Sequence, residues 1–171
     1  MISVRLFDPQ FKTYFPNYIL QSLTAVVILI IILTVLGMGA NLAIVASIGA
    51  SSFIIFAMPK STQAQPRHVI GGHAVGLLSG SACYLPFLWL SFPVGSLGAE
   101  LLYVFTGAIA VGMAIFLMSI TDTEHAPAAG TALGIVAQGF TWQAVVFVLS
   151  CVLALSLARW LLRAKLRNLT S

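Results

Sequence analysis

The chain has 171 residues, of which 60% are hydrophobic and only 7% charged, with a net charge of +4 and a mean hydropathy of +1.04. A soluble domain carries about 25% charged residues, so this composition excludes a water-soluble globular protein and points to an all-α polytopic membrane protein. Cys83 and Cys151 both fall in apolar runs, where a thiol behaves as a small hydrophobe and argues for neither a disulfide nor a metal.

Residues 1–17 carry Arg5, Lys12 and Pro9 ahead of the first apolar run, with no small-residue cleavage site behind a short apolar core. They read as a cytoplasmic N-terminal segment and not as a cleaved leader. The membrane domain covers 18–162. A span needs roughly 20 apolar residues, and such runs occur at 18–36, at 41–57 (short and rich in small residues), at 73–90 (softened by Pro86), at 97–120 (with Glu100 near its start) and at 142–162. Residues 125–140, with Pro127, Gly130 and Gly134, are ambiguous, being about 24 Å long as a helix. Residues 163–171 form a basic cytoplasmic tail.

Loop charge arbitrates. Basic residues cluster before the first span (Arg5, Lys12), after the second (Lys60, Arg67) and at the end (Arg159, Arg163, Lys165, Arg167), whereas the turns at 37–40 and 91–96 hold none. Cytoplasmic loops carry the excess of Lys and Arg. All clusters face the cytoplasm only if the ambiguous piece crosses, so the expected topology is about six transmembrane helices with both termini inside. Five spans and one re-entrant helix form the alternative. Trp89, Trp142 and Trp160 lie at span ends, as interfacial anchors do.

Polarity concentrates in residues 58–73, which hold Lys60, Arg67, His68 and His73 between Pro59, Pro66 and the pair Gly71-Gly72. A second polar break, 121–130, shares its side of the membrane. Ser61-Thr62-Gln63-Ala64-Gln65-Pro66 can be laid on Asp122-Thr123-Glu124-His125-Ala126-Pro127, and Gly72-His73-Ala74-Val75-Gly76 echoes Gly130-Thr131-Ala132-Leu133-Gly134 across a three-residue gap, a weak internal repeat. Repeat-built transporters place broken helices in corresponding positions at the substrate site.

Pro59-Lys60-Ser61 followed by Ala64-Gln65-Pro66-Arg67-His68-Val69-Ile70-Gly71-Gly72-His73 resembles the signature of the HPP family of integral membrane proteins. Thr121-Asp122-Thr123-Glu124-His125-Ala126-Pro127 stands where the motif that names this family falls. The similarity runs over roughly residues 16–165. Two positions depart from the pattern: His-Pro-Pro reads His125-Ala126-Pro127, and His68 replaces the usual Asn after Gln-Pro-Arg. Some plant members are regarded as nitrite transporters of the plastid envelope, so the resemblance implies transport of nitrite or a similar small anion.

The residues admit such a role. Arg67 offers five donors in a planar fork suited to an oxyanion, or merely orients the protein. Lys60 is an orienting or headgroup charge, with anion binding as its second reading, and Gln65 in the same segment is a further candidate for binding the anion. Gly71 and Gly72, expected just before the third helix, would present free N–H groups to an anion, as would Ala129, Gly130 and Thr131 at the start of the fifth. The alternative is that these glycines serve close helix packing. His73 and His125, expected at the starts of those helices, are ionisable groups at membrane depth, able to hydrogen-bond an anion or carry a proton with it, or to cap helices. His68 needs no special role at the interface.

Asp122 and Glu124 are expected to pair with Arg67 or Lys60 and hold the two segments together, a gating or structural role, with proton relay as the alternative. Ser47, Gly49, Ser51 and Ser52 place the second helix near the centre, where it could line a pathway. Three histidines without carboxylate or cysteine partners at ligand spacing predict no metal. With no nucleophile–base pair or nucleotide loop either, no catalytic residue, cofactor or enzyme activity is expected, nor a nucleic-acid partner.

The expected function is transmembrane passage of a small inorganic anion, nitrite first, through a channel or carrier with an Arg/His and helix-N-terminus site. The expected setting is the bacterial inner membrane, or the plastid envelope in a plant. One subunit has barely enough helices to enclose a path, so a homo-oligomer in the lipid bilayer is expected. The alternative is a membrane-embedded assembly or anchoring subunit whose basic tail binds a soluble partner or anionic headgroups.

Overall fold

The computed structural model describes residues 8–36, 42–90 and 95–170. Arg5, the turn at 37–40 and residues 91–94 of the next turn lie outside the described residues. The described chain is helical throughout: α1 (Phe11–Leu36), α2 (Leu42–Ala57), a 3-10 turn (Thr62–Ala64), α3 (Pro66–Tyr84) with a one-turn continuation (Pro86–Trp89), α4 (Leu97–Thr121), α5 (Ala126–Gln138) and α6 (Trp142–Leu162).

Local chemistry accounts for most boundaries. α1 starts earlier than the apolar run suggests and kinks at Tyr14 (φ −116°, ψ 24°), two residues before Pro16, whose ring removes an N–H and crowds the preceding turn. α3 begins at Pro66, where the missing N–H costs nothing and the ring's φ suits a first helical position. It therefore starts a full two turns before the expected residue 73. Ser96 and Thr141 cap α4 and α6 by accepting the N–H of Ala99 (3.3 Å) and Ala144 (3.1 Å). α4 ends at Asp122, which takes the left-handed conformation (φ 53°), tolerated by Asp through its short polar side chain.

α1, α4 and α6 are each long and apolar enough to cross a membrane, and α2 is a shorter apolar helix. These three long helices turn large apolar side chains outward, among them Leu23, Ile30, Phe105, Phe116, Val146 and Leu157, and so meet lipid. The inner helices α2, α3 and α5 carry the small and polar residues. α5 has 13 residues, about 20 Å at 1.5 Å per residue, well short of a bilayer core of about 30 Å. It survives because it is wrapped by protein: Pro127, Ala128, Thr131, Ala132, Gly134, Ile135 and Val136 are all buried.

Packing is close because one side of each inner interface is glycine. A β-carbon on Gly72 would stand 2.7 Å from His125 Cβ, and one on Gly80 would stand 2.6 Å from the Ala132 carbonyl oxygen. These contacts advance together along the chain, so α3 and α5 run parallel. Gly130 faces Ser47 and Gly134 faces Ile44, so α2 and α5 run antiparallel. Between apolar helices in lipid, such close approach and hydrogen bonding supply the stabilisation that the hydrophobic effect cannot.

The start of α1, the end of α2, the starts of α3 and α5, and the ends of α4 and α6 gather at one end of the bundle. Arg167 N–H donates to Gln21 Oε1 (2.9 Å), Gln21 Nε2 donates to the Phe56 and Arg167 carbonyls, and Leu169 N–H donates to the Ala57 carbonyl (2.8 Å). Arg159 donates to the Pro59 carbonyl (2.6 and 3.1 Å), and the Arg167 guanidinium lies 3.4 Å from the Tyr14 ring centroid. The basic tail is thus folded against α1 and α2, with Leu166 and Leu169 buried.

Candidate functional site

Five of the buried polar side chains join in one cluster: Ser47 and Ser51 from α2, His73 from α3, His125 at the N-cap of α5 and Thr131 within it. Ser47 and Ser51 stand four residues apart and so share one helix face. Ser51 Oγ lies 2.8 Å from His73 Nε2 and 2.9 Å from His125 Nε2, bridging two rings whose centroids are 5.2 Å apart. His73 Nδ1 lies 2.8 Å from Thr131 Oγ1, which lies 2.9 Å from Ser47 Oγ. Main-chain carbonyls close both ends. His125 Nδ1 donates to the Gln63 oxygen (2.9 Å), and Ser47 donates to the Pro127 oxygen (2.5 Å).

The two polar loops hold this cluster in place. The 3-10 turn brings Gln63 against the start of α5, where its side-chain oxygen accepts the Ala126 N–H (3.1 Å), one of the donors a helix start leaves unpaired. Gly71 and Gly72 lie inside α3 and not ahead of it, so their N–H groups belong to the helix ladder, and the expectation that they present free donors is corrected. Their lack of a side chain lets residues 123–125 lie directly on α3: a β-carbon on Gly71 would stand 2.7 Å from Thr123 Cγ2. Gly130 sits in the second turn of α5 against Ser47, beside the networked Thr131. His73, expected at a helix start, is likewise two turns inside α3; His125 does stand at the start of α5.

Charged residues stay at the rim. Arg67 is 63% exposed, pairs with Asp122 at 3.2 Å and donates to the Thr121 carbonyl (3.2 Å), tying the start of α3 to the end of α4. It is not among the buried polar groups. Lys60 is exposed, and its main-chain N–H donates to Asn168 Oδ1 (3.0 Å). Gln65 is the exposed N-cap of α3 and makes no side-chain capping bond. Buried His68 faces Glu124, whose carboxylate oxygen lies 3.6 Å from Nδ1 and whose main-chain oxygen lies at 3.3 Å. His68, Asp122 and Glu124 bring their ligand atoms within 4.8 Å of one another, the one grouping among the described residues with donors for a metal. Asp122 is already engaged by Arg67, and exposed carboxylates group this way without an ion.

Four residues make contacts that the sequence reading did not assign. Gln63 was passed over for Gln65. Gly76 and Gly80 continue the four-residue spacing from Gly72, a small-residue pattern typical of close membrane helices. Gln21 is a lone amide in an apolar run and reads, by the rule that polar groups at membrane depth have partners, as an inter-helix contact. The internal echo does gain a spatial meaning: His73 and Thr131 occupy matching positions in the two Gly-x-x-x-Gly stretches, and they are hydrogen-bond partners.

Comparison with known proteins agrees with a membrane-spanning chain. A transmembrane protein of Dictyostelium discoideum is 35% identical over 92 residues, 53% of this chain and 28% of that protein. A second transmembrane protein of the same organism is 32% identical over 90 residues, again 53% of this chain and 26% of its own length. The chain thus spans well under half the length of these relatives. No solved structure matches it. Residues 12–169 match the family described as HPP, transmembrane region, and this match over nearly the whole chain places the protein in the HPP family of integral membrane proteins.

Proposed function

We propose that the protein carries a small inorganic anion across the membrane, nitrite first among the candidates, and that the Ser51, His73, His125 and Thr131 cluster is its binding site. The reading rests above all on one observation: imidazole and hydroxyl groups from three inner helices converge at full burial into one hydrogen-bonded cluster. Intramembrane ionisable residues are rare and costly unless they serve a pathway. The same N–H and O–H groups can turn to a bound anion when α3 and α5 part. Arg67 and Lys60, exposed at the basic end, would draw anions to the mouth. The basic end faces the cytoplasm by the positive-inside rule, which puts both termini there, and the protein works as a homo-oligomer. The anchoring alternative is less favoured, because the tail that would hold a partner is packed on the protein's own bundle.

The test is nitrite uptake into liposomes holding the purified protein, with nitrate, formate and chloride as competitors. Saturable uptake is expected. Arg67→Ala should lower the rate a few-fold, more at low than at high ionic strength, because an exposed charge acts through a screened field; the absence of uptake for every anion at several pH values and voltages would sink the transport reading. Topology has its own check. A cysteine at position 140 should be labelled only from the side opposite the tail, against a quiet background because Cys83 and Cys151 are buried. Labelling from the tail side alone would exclude six crossings.

A further inference from the structure

The buried chain of hydrogen bonds is one proton short. Six contacts run in series: Gln63 oxygen to His125 Nδ1, His125 Nε2 to Ser51, Ser51 to His73 Nε2, His73 Nδ1 to Thr131, Thr131 to Ser47, and Ser47 to the Pro127 oxygen. Both ends are carbonyls, which only accept. A neutral imidazole has one N–H, and Ser and Thr each have one O–H. Five side chains therefore bring five hydrogens to six contacts. With both rings neutral, one pair of lone pairs must face each other somewhere along the chain. Ser51 Oγ also lies 3.1 Å from the Ser47 carbonyl; a hydrogen turned there would leave the series shorter still.

A sixth proton completes the series, and it can reside on either ring. On His73, Nδ1–H donates to Thr131, Thr131 to Ser47, Nε2–H to Ser51, and Ser51 to His125 Nε2. On His125, Nε2–H donates to Ser51 and Ser51 to His73 Nε2, with every other bond unchanged. The two states interconvert by one concerted step. The His73 Nε2–H bond breaks as an O–H bond forms at Ser51, while the original Ser51 O–H bond breaks as an N–H bond forms at His125 Nε2. The positive charge moves from one ring to the other and no heavy atom shifts.

We infer that His73, Ser51 and His125 form a single shared proton site, with Ser51 as the relay between the rings. Resting on the transport reading, this gives the substrate of the same site as an anion together with one proton, because a bound anion balances the positive charge that the shared proton adds to that core. Of the other charged and titratable groups on the surrounding elements, Cys83 and Tyr84 end α3 and Glu100 and Tyr103 begin α4, at the end of the bundle away from the site, and those nearer to it are engaged elsewhere. His68 and Glu124 face each other, Arg67 pairs with Asp122, and Arg159 holds the Pro59 carbonyl. Cys151 on α6 is buried in the apolar cluster, and α2 has no titratable side chain.

The experiment is a pH titration by 15N NMR of histidine-labelled protein in lipid nanodiscs, in a His68→Gln background that leaves only the two site histidines. One proton taken up per subunit is expected, with the nitrogen signals of both rings moving along one curve. Ser51→Ala should destroy that coincidence and confine the proton to one ring; should it fail to fold, Ser51→Cys, close in size and a poor donor, takes its place. Rings that stay neutral while the protein remains folded, rings that titrate separately in the parent, or coincidence retained without the hydroxyl would each overturn the relay. No substrate enters this titration, so anion flux without a shared proton removes the relay alone, and a shared proton without flux removes the transport reading alone.

Discussion

His73→Leu should bring nitrite uptake down to the level of empty liposomes while leaving a protein that still inserts and migrates as the parent does. The side chain is fully buried and holds Ser51 on one nitrogen and Thr131 on the other. Leucine is close to histidine in size, so the substitution removes polarity with little change in packing. Ser51 retains His125 and Thr131 retains Ser47, which limits the loss of stability to about 1–3 kcal/mol, the usual cost of a broken buried hydrogen bond. Uptake at the parent rate by folded His73→Leu would show that the buried cluster is structural. His73→Gln separates two roles of the ring. Its amide can still donate and accept but cannot ionise, so uptake should again be lost if the proton matters.

Gly80→Leu should prevent the bundle from assembling, and Gly80→Ala should lower its stability by about 1–3 kcal/mol, as overpacking of a close interface does. A β-carbon at Gly80 would stand 2.6 Å from the Ala132 carbonyl oxygen, 2.8 Å from Ile135 Cβ and 3.1 Å from Ala132 Cα. Two of these are backbone atoms of the neighbouring helix, which yield only if α3 and α5 separate. Gly112→Ala is the matched control. It too lies within a helix, yet a β-carbon there would meet nothing within 4 Å. Its expected effect is neutral or stabilising by up to about 1 kcal/mol, the helix-propensity advantage of Ala over Gly. Equilibrium unfolding in mixed detergent micelles would measure all three. Equal behaviour of Gly80→Ala and Gly112→Ala would refute the close α3–α5 contact.

Arg67 illustrates what one-dimensional reading misses. Its company of Pro66, Gly71 and Gly72 suggested a cationic anion site, but at 100° per residue Arg67 lies within about 20° of Leu78 on the helix surface, and Leu78 is 69% exposed. Val69, Gly72, His73, Gly76, Leu77 and Gly80 make the buried stripe instead. That periodicity was present in the sequence. It was hidden by treating Gly71-Gly72 as a helix breaker, a rule from water that fails where glycine serves close packing in lipid. The anticipated pairing of acidic residues with Arg67 is present for Asp122, whereas Glu124 turns to His68.

From the sequence alone came the membrane class, the helical architecture, the bounds of α4 and α6 to within a residue, and a short fifth helix at 125–140. These depend on composition and on the length of apolar runs, which are local quantities set by bilayer thickness and backbone hydrogen bonding. The resemblance at residues 59–73 and 121–130 also pointed to the family that the match over residues 12–169 supports. The cluster itself was beyond reach. Its contacts join residues 22, 58, 74 and 84 positions apart, and they depend on the depth and rotation of three helices and on a carbonyl in the 3-10 turn. Only the tertiary packing, in which glycines let α3 and α5 touch, decided that Ser47, Ser51, His73, His125 and Thr131 would share one hydrogen-bonded chain and that Arg67 would stand outside it.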